Sequence, residues 1–223
     1  MTSSHLLGRW ELYSQRYGAF HAALSYVGRW FPTLWKIIGR SVTAPYLGRW
    51  LRTQEVKIVN LGGGSNCMAE CLTVDTDPRA DAYVDITAPL PFPDSSIDGI
   101  FCEEAIEHID KESAFTLLAE CFRVLKPGGV IRVTTPDLDY FLRRALEDKP
   151  GADSEINDAF LNHGHRYLYT RNALENAISA ADFMGIRFSS YRDPESRLGY
   201  LDSHADRLMH SPDMSMYVEA EKL

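Results

Sequence analysis

Two neighbouring features of the sequence have the residue types to hold a nucleotide-like ligand: a glycine-rich turn and the acidic residue that follows it. The apolar run 56–61 ends in three glycines at 62–64, where the backbone is open to a ligand and free to adopt positive φ. A second apolar run, 71–74, ends at Asp75. A carboxylate at the carboxyl end of a neighbouring strand can accept hydrogen bonds from ribose hydroxyls, as in nucleotide-binding α/β folds. This arrangement predicts a site for an adenosine derivative.

A dinucleotide is the alternative ligand, because Gly62 and Gly64 also begin the fingerprint of nicotinamide-dependent dehydrogenases. The third glycine of that fingerprint would fall at position 67, which is Cys67. The stretch between Gly62 and the next apolar run is too short for the crossover helix whose N-terminus holds a pyrophosphate. A nicotinamide-dependent oxidoreductase is therefore the second hypothesis.

The elements that must position these residues alternate along the chain. Short apolar runs and helical patterns follow one another from residue 56 onward, which is typical of a doubly wound α/β fold with a mostly parallel, seven-stranded, Rossmann-like sheet. Strands are predicted at 56–61, 71–75, 82–85, 97–102, 129–135, 186–191 and 214–221. Helices are predicted at 104–108, 111–125, 137–148 and 171–184. Thr170 is the expected N-cap of the last helix and Gly185 its expected end.

The first 57 residues differ from the rest in charge and aromatic content. They hold eight Lys/Arg and two Asp/Glu, a net charge of +6, whereas residues 58–223 carry −14. Apolar side chains recur there at steps of three and four: Leu6, Trp10, Tyr13, Tyr17, Phe20, Leu24 and Val27. This spacing predicts an amphipathic helix that Pro32 ends, with shorter helices beginning near Thr33 and Pro45. We predict two domains: a basic, aromatic-rich helical extension at 1–57 and a ligand-binding domain at 58–223.

Three roles for the helical extension are compatible with its composition. Packing against the domain or a second subunit is favoured, since apolar stripes are usually core, and a homodimer would follow from the second case. A basic amphipathic helix with Trp can also make peripheral contact with an anionic membrane surface. Nucleic-acid binding is not expected, because the acidic remainder of the chain opposes it.

Composition places the chain among ordinary globular proteins. Of 223 residues, 45% are hydrophobic and 24% charged, with a net charge of −8. The start lacks the layout of a signal peptide, and no apolar run reaches the roughly 18 to 20 residues that span a bilayer. The four cysteines show no Cys-x-x-Cys pair and no His at metal spacing, so we expect buried thiols, no metal centre and a cytoplasmic location.

Several motifs in order carry a resemblance to a known family. They are Asn60-Leu61-Gly62-Gly63-Gly64-Ser65-Asn66, Val74-Asp75-Thr76-Asp77, Asp85-Ile86, Leu90-Pro91-Phe92-Pro93-Asp94-Ser95-Ser96-Ile97-Asp98, Ile106-Glu107-His108-Ile109 and Arg123-Val124-Leu125-Lys126-Pro127-Gly128-Gly129. Over about residues 58–223 the chain resembles the class I S-adenosylmethionine-dependent methyltransferases. More narrowly, it is similar to small bacterial methyltransferases associated with surface-polysaccharide pathways. The short segment after Gly64 departs from the general class pattern, at the part that holds the methionine end of the cofactor.

The resemblance implies S-adenosylmethionine as cofactor and a set of contacts to it: Gly62, Gly63, Gly64, Asp75, Asp85, Ile86 and Glu103. The glycines would let the backbone approach the amino-acid part and ribose. Asp75 would accept from the ribose hydroxyls, Asp85 from the adenine amino group, and Ile86 would pack on the ring. Glu103 would lie near the cofactor amine or the acceptor.

Catalytic groups are harder to place. Methyl transfer is an in-line displacement that gains most from holding the reactants in line, and a hydroxyl acceptor also needs a general base, most often His. His165 or His163 is the predicted base, since both lie in a polar stretch before the Thr170 helix. Asp137 would orient the acceptor or that His, or cap a helix. His108, within the Glu-His motif, is expected to be structural.

The leading hypothesis is therefore a methyltransferase that acts on a small-molecule or glycan acceptor. A nicotinamide-dependent oxidoreductase is the second hypothesis. A binding module that keeps the cofactor site without turnover is the third.

Overall fold

The chain is described by a computed structural model that covers residue 23 and residues 27–209 and 211–223. The predicted helix over 6–27 lies outside the described residues except at its end, so Leu6, Trp10, Tyr13, Tyr17, Phe20 and Leu24 carry no structural result. The chain divides into two compact units. Unit 1 comprises the described residues up to Lys57 together with Gly63–Asp85. Unit 2 comprises Ile58–Gly62 and Ile86–Leu223.

Among the described residues, seven strands form one mostly parallel sheet. They are β1 (Ile58–Leu61), β2 (Leu72–Asp75), β3 (Ala82–Tyr83), β4 (Ile97–Glu103), β5 (Leu125–Pro136), β6 (Met184–Ser189) and β7 (Ser215–Glu221). The strand order is β3-β2-β1-β4-β5-β7-β6. The pairs β1–β4, β2–β3 and β4–β5 are parallel, and β7 is antiparallel to both β5 and β6. The predicted fold class is confirmed.

Helices connect and cover these strands. They are α1 (Pro32–Thr53), α2 (Lys111–Val124), α3 (Leu138–Leu146), α4 (Ala152–Leu161), α5 (Arg171–Ser179) and α6 (His204–Leu208). The helix predicted at 104–108 is only a three-residue 3₁₀ turn, Ile106–His108. Helix α4 was not predicted, because the helix buries only Ala152 and Ala159 and so has a weak apolar pattern.

In unit 1, α1 replaces the two short helices that the prolines predicted. Pro32 stands in the first turn, where no N–H is needed, and Pro45 lies inside the helix. Phe31, not Thr33, is the N-cap. Pro45 is exposed, and we attribute the continuity of the helix to a buried stripe on both sides of it: Trp35, Gly39, Thr43, Leu47 and Trp50.

The buried stripe of α1 packs on β3. Trp35 meets the Tyr83 ring edge to face, with centroids 6.3 Å apart. A Cβ at Gly39 would lie 2.7 Å from Tyr83 Cδ2, so the close approach requires glycine. The Thr43 hydroxyl accepts from the Tyr83 amide at 3.1 Å and donates to the Gly39 carbonyl at 2.9 Å. The described part of the extension is therefore built into unit 1.

Four apolar side chains near the beginning of α1 are exposed. Trp30, Phe31, Leu34 and Ile37 are between 46% and 73% exposed. No helix in the part of the chain that the structure describes is long and apolar enough to cross a bilayer. Dimerisation and membrane contact stay predictions for residues 1–57, and packing stays a prediction for the part of this segment that the structure does not describe.

Unit 2 is organised around β5, which pairs with β4 on one side and β7 on the other. Its Arg132 is fully buried and forms a bidentate ion pair with Asp202, at 2.7 and 2.6 Å. The same guanidinium donates to the hydroxyls of Ser189 and Ser196 and the carbonyl of Ser190. These bonds hold the segment after β6 against the centre of the sheet.

Two predicted helix boundaries can be compared directly. Thr170 caps α5 as predicted, since its hydroxyl accepts from the Ala173 amide at 3.2 Å. The predicted end at Gly185 is wrong: α5 ends at Ser179 and Gly185 lies inside β6. Gly185 does have a left-handed backbone, at φ 60°, as does Asp182 at φ 65°, but both residues lie beyond the end of the helix.

Candidate active site

The glycine turn and Asp75 form one hydrogen-bonded structure in unit 1. The Gly64 amide donates to Asp75 Oδ2 at 2.9 Å, and the Asp77 amide donates to Oδ1 at 2.8 Å. The Thr76 hydroxyl also donates to Oδ1, at 3.4 Å. A carboxylate has about four acceptor positions, so Asp75 keeps capacity for a ligand hydroxyl. Gly64 has φ +55°, and a Cβ built there would meet no atom within 4 Å. Open space beside a bare backbone fits the close approach of a cofactor.

Gly62 is required for a different reason in unit 2. Its φ is +69°, and a Cβ there would lie 2.6 Å from the Ala105 Cβ and 3.7 Å from Ile86 Cδ1. Neither the conformation nor the space admits a side chain. The strand β1 thus ends in a turn that only glycine allows, and Ile86 stands beside that turn, half-buried. These features also fit the predicted cofactor contacts.

The remaining predicted acidic contacts differ in what they do. Asp85 is half-buried two residues after β3. Glu103 is buried at the end of β4, and its carboxylate accepts from the Ser203 amide and hydroxyl, the His204 amide and Arg207, at 2.6 to 3.0 Å. Despite burial, the contact of the His204 imidazole Nδ1 with Oε1, at 3.2 Å, together with these bonds lowers the pKa of Glu103 to about 2. The carboxylate is an anchor for the start of α6, and its contact with a cofactor stays a prediction.

Three side chains from distant parts of the sequence meet in unit 2: Glu107, His108 and His165, which we call the Glu–His–His cluster. Their ligand-type atoms lie within 4.8 Å of one another. Both imidazole Nε2 atoms are 4.0 Å from Glu107 Oε1. The two rings meet edge to face, with centroids 4.8 Å apart.

The backbone explains how His165 reaches this position. The Glu107 carbonyl accepts from the amides of Arg166 at 2.7 Å and Tyr167 at 3.2 Å. The next residues continue into the bridge between Tyr169 and Asp137. Backbone hydrogen bonds thus hold the loop that carries His165 beside the 3₁₀ turn that carries Glu107.

In this cluster the side chains of Glu107 and His165 are almost fully withdrawn from solvent, whereas that of His108 is exposed. Glu107 is completely buried; its Oε2 accepts from the Thr135 hydroxyl at 3.0 Å, while Oε1 has no hydrogen-bond partner. Burial raises the pKa of Glu107. Burial, reinforced by the charges of His108 and His163, lowers the pKa of His165 to about 4. The His165 ring is therefore neutral throughout the physiological pH range.

The other two predicted catalytic residues have local partners. His163 is exposed, and its Nε2 lies 3.0 Å from Asp158 Oδ2. Asp137 caps α3, accepting from the Asp139 amide at 2.9 Å. Burial raises the pKa of Asp137. A catalytic role for either residue stays a prediction, and of the three only His165 faces a buried carboxylate.

Sequence reasoning did not select Glu104 or Glu107 as site residues. Glu104 follows β4 with φ 51°, an unusual conformation for a residue other than glycine. Burial and the charge of Glu107 raise the pKa of Glu104, whose Oε1 also has no hydrogen-bond partner. The sequence does show acidic residues directly after a buried strand. Such residues lie at the carboxyl edge of the sheet, where α/β folds bind ligands.

Comparison with known proteins bears on the part of the chain that holds the glycine turn, Asp75 and Glu107. Residues 61–133 match the family model described as a methyltransferase domain. The matched segment runs from the glycine turn through the Glu107–His108 pair and into β5. Over these residues, about a third of the chain, the sequence is similar to a methyltransferase domain.

Curated relatives agree with the match over a similar length. A probable S-adenosylmethionine-dependent methyltransferase of Mycolicibacterium smegmatis is 40% identical over 80 residues, which are 36% of this chain and 28% of the relative. A protein of Mycobacterium tuberculosis (strain H37Rv) with the same description is 35% identical over 80 residues, 36% of this chain and 26% of the relative. The similarity thus spans only about a quarter of each relative.

Solved structures share the fold over nearly the whole chain. A methyltransferase of Thermotoga maritima, described as a possible histamine N-methyltransferase, superposes with a TM-score of 0.53 at 18% identity and covers 92% of this chain and 98% of its own. A methyltransferase of Archaeoglobus fulgidus gives a TM-score of 0.51 at 14% identity, with coverage of 96% and 99%. At these identities the likeness establishes the fold.

Proposed function

We propose that this protein is an S-adenosylmethionine-dependent methyltransferase that methylates a hydroxyl group of a small-molecule or glycan acceptor. The observation that carries the proposal is the hydrogen bond from the Gly64 amide to Asp75. It fixes a carboxylate of the ribose-binding type beside an open glycine backbone, within the segment that matches the methyltransferase family.

We assign the cofactor contacts to Gly62, Gly63, Gly64, Asp75, Asp85 and Ile86. Asp75 accepts from the ribose hydroxyls. The ribose thus uses acceptor positions of the carboxylate that its hydrogen bonds within the turn do not occupy. Asp85 accepts from the adenine amino group, and Ile86 packs on the ring. Glu103 is left out, because its carboxylate already accepts from the segment that begins α6.

When bound, S-adenosylmethionine supplies an electrophilic methyl group, whose transfer to oxygen leaves S-adenosylhomocysteine. His165 serves the acceptor side: its neutral imidazole offers a lone pair to the hydroxyl proton as the carbon–oxygen bond forms. The low pKa that follows from burial keeps this lone pair available at neutral pH. The dry surroundings of Glu107 and His165 strengthen the interactions that orient the acceptor.

A glycan acceptor follows from the resemblance to bacterial surface-polysaccharide methyltransferases, and free hydroxylated small molecules share its chemistry. An assay with labelled S-adenosylmethionine and a panel of sugars, glycans and carboxylates separates these acceptors. Methylation of carboxylates alone would contradict the hydroxyl assignment.

Thermal unfolding with ligands tests the cofactor directly. S-adenosylhomocysteine should raise the melting temperature, because a ligand that binds only the folded state stabilises it, and NAD should not. The reverse result would favour the oxidoreductase hypothesis. Binding of S-adenosylhomocysteine with no methylation of any acceptor would favour the non-catalytic binding module.

A further inference from the structure

One oxygen in the Glu–His–His cluster is buried without a partner. Glu107 is 0% exposed, and its Oε1 accepts no hydrogen bond. The same oxygen is 4.0 Å from the Nε2 atoms of His108 and His165. Burial of an unsatisfied carboxylate oxygen is costly, and here that oxygen faces two imidazole nitrogens at a distance longer than a hydrogen bond. The arrangement points to a ligand that lies among the three groups.

We propose that Glu107, His108 and His165 bind a divalent transition-metal cation. Their ligand atoms already lie within 4.8 Å of one another. Zinc bonds of about 2.0–2.2 Å place tetrahedral ligand atoms roughly 3.3–3.6 Å apart. The two observed separations of 4.0 Å would therefore close by less than about 1 Å, and the His108 side chain, 43% exposed, has room to move.

The ligand types select the class of cation. Two imidazoles and one carboxylate suit zinc and other first-row transition metals, whereas magnesium and calcium prefer oxygen ligands. The Thr135 hydroxyl, 3.0 Å from Glu107 Oε2, supplies the outer hydrogen bond that commonly orients a ligating carboxylate.

Three protein ligands leave at least one coordination position open, as in catalytic rather than structural zinc sites. We assign that position to an oxygen of the acceptor. This assignment rests on the proposed methyltransferase function and refines it: the cation, held by Glu107, His108 and His165, would polarise the acceptor hydroxyl, whose proton would pass to solvent water as the carbon–oxygen bond forms. The sequence predicted no metal centre, because only the fold brings His165 beside Glu107 and His108.

Metal binding can be measured without catalysis. The full-length protein would be freed of metal with a chelator and titrated with Zn²⁺ by calorimetry, and with Mg²⁺ for comparison. Glu107→Gln keeps the shape of the buried side chain while weakening its oxygen ligand. His108→Ala alters an exposed side chain and should leave folding intact. His163→Ala is the matched control, since His163 stacks on His165 at 5.5 Å but belongs to a separate pair with Asp158.

We expect one Zn²⁺ per chain in the wild type and in His163→Ala, with at least tenfold weaker binding in Glu107→Gln and His108→Ala. Absence of saturable Zn²⁺ binding in the wild type, or a loss of less than tenfold in either ligand variant, overturns the proposal. S-adenosylhomocysteine binding to the metal-free protein is measured in parallel. If it persists while Zn²⁺ fails to bind, only the metal site is wrong; if Zn²⁺ binds while S-adenosylhomocysteine does not, the methyltransferase proposal fails and the metal site stands.

Discussion

The Gly64 amide and the Asp75 carboxylate are joined by a hydrogen bond of 2.9 Å. This contact connects the turn after β1 to the end of β2, and it gives Asp75 a fixed orientation while leaving acceptor positions for a ligand. An aspartate that only stabilised a turn would need the fixed orientation but no free acceptor positions. The free acceptor positions make Asp75 the residue on which the cofactor proposal can be tested most directly.

Asp75→Ala should weaken S-adenosylhomocysteine binding by at least tenfold, because hydrogen bonds from ribose hydroxyls to a carboxylate contribute about 1.5–3 kcal/mol each. Calorimetry measures the dissociation constant. Asp77→Ala is the matched control: its carboxylate pairs with Arg79, so affinity should change little. An unaltered dissociation constant in Asp75→Ala would refute the ribose assignment.

His165→Ala should lower kcat by roughly 10²–10⁴-fold, the usual contribution of a positioned acid–base group. The substitution removes the only predicted catalytic ring that faces Glu107, but it removes none of the assigned cofactor contacts. The dissociation constant of S-adenosylhomocysteine should therefore stay within about twofold. Turnover equal to that of the wild type would reject a role for His165 on the acceptor side.

Gly62→Ala should destabilise the protein by roughly 2–3 kcal/mol, because the new Cβ would both overlap Ala105 and hold a strained positive φ. Gly151→Ala is the control: its φ is +81°, but a Cβ there meets no atom within 4 Å, so only the backbone cost of about 1 kcal/mol applies. Urea unfolding compares the two variants. Equal losses would show that the contact with Ala105 is unimportant.

Asp202→Ala should destabilise the fold by about 3–5 kcal/mol, since it leaves the Arg132 charge buried without its ion-pair partner. The partly exposed pair of Arg144 and Glu155, with side chains 28% and 30% exposed, provides the comparison. Glu155→Ala should cost no more than about 1 kcal/mol, because solvent screens surface pairs. Similar unfolding free energies for the two variants would contradict the anchoring role of Arg132.

Acid should weaken the fold through Glu103. Its pKa is lowered from an ordinary value of 4.5 to about 2 in the folded protein, so the unfolded chain binds the proton more readily. The resulting stabilisation, roughly 3 kcal/mol, is present above about pH 5 and is lost as the pH falls towards 2. Chemical unfolding of Glu103→Gln should show a shallower decline over this pH range than the wild type. Parallel declines would mean that other carboxylates account for the acid sensitivity.

Local chemistry explains which parts of the fold could be predicted. The Val59–Gly64 turn and Thr170 cap depend on residues close together in the chain, and both were located from the sequence. The prolines predicted two short helices where the structure has α1. The helix is continuous because the burial of Trp35, Leu47 and Trp50 within unit 1 outweighs the one backbone hydrogen bond that Pro45 cannot donate. Tertiary packing therefore overrode a strong local signal there.

The sequence by itself determined the seven-stranded α/β fold, the glycine turn and the acidic residue that follows it, since apolar periodicity and glycine conformation are local properties. Only the tertiary structure decided which groups the acidic residues at the end of β4 and beyond it contact. It placed Glu103 against Ser203 and His204, and Glu107 beside His165. Those pairings depend on how distant loops fold back onto the sheet edge, where burial and hydrogen-bond geometry, rather than spacing, fix which charged groups meet.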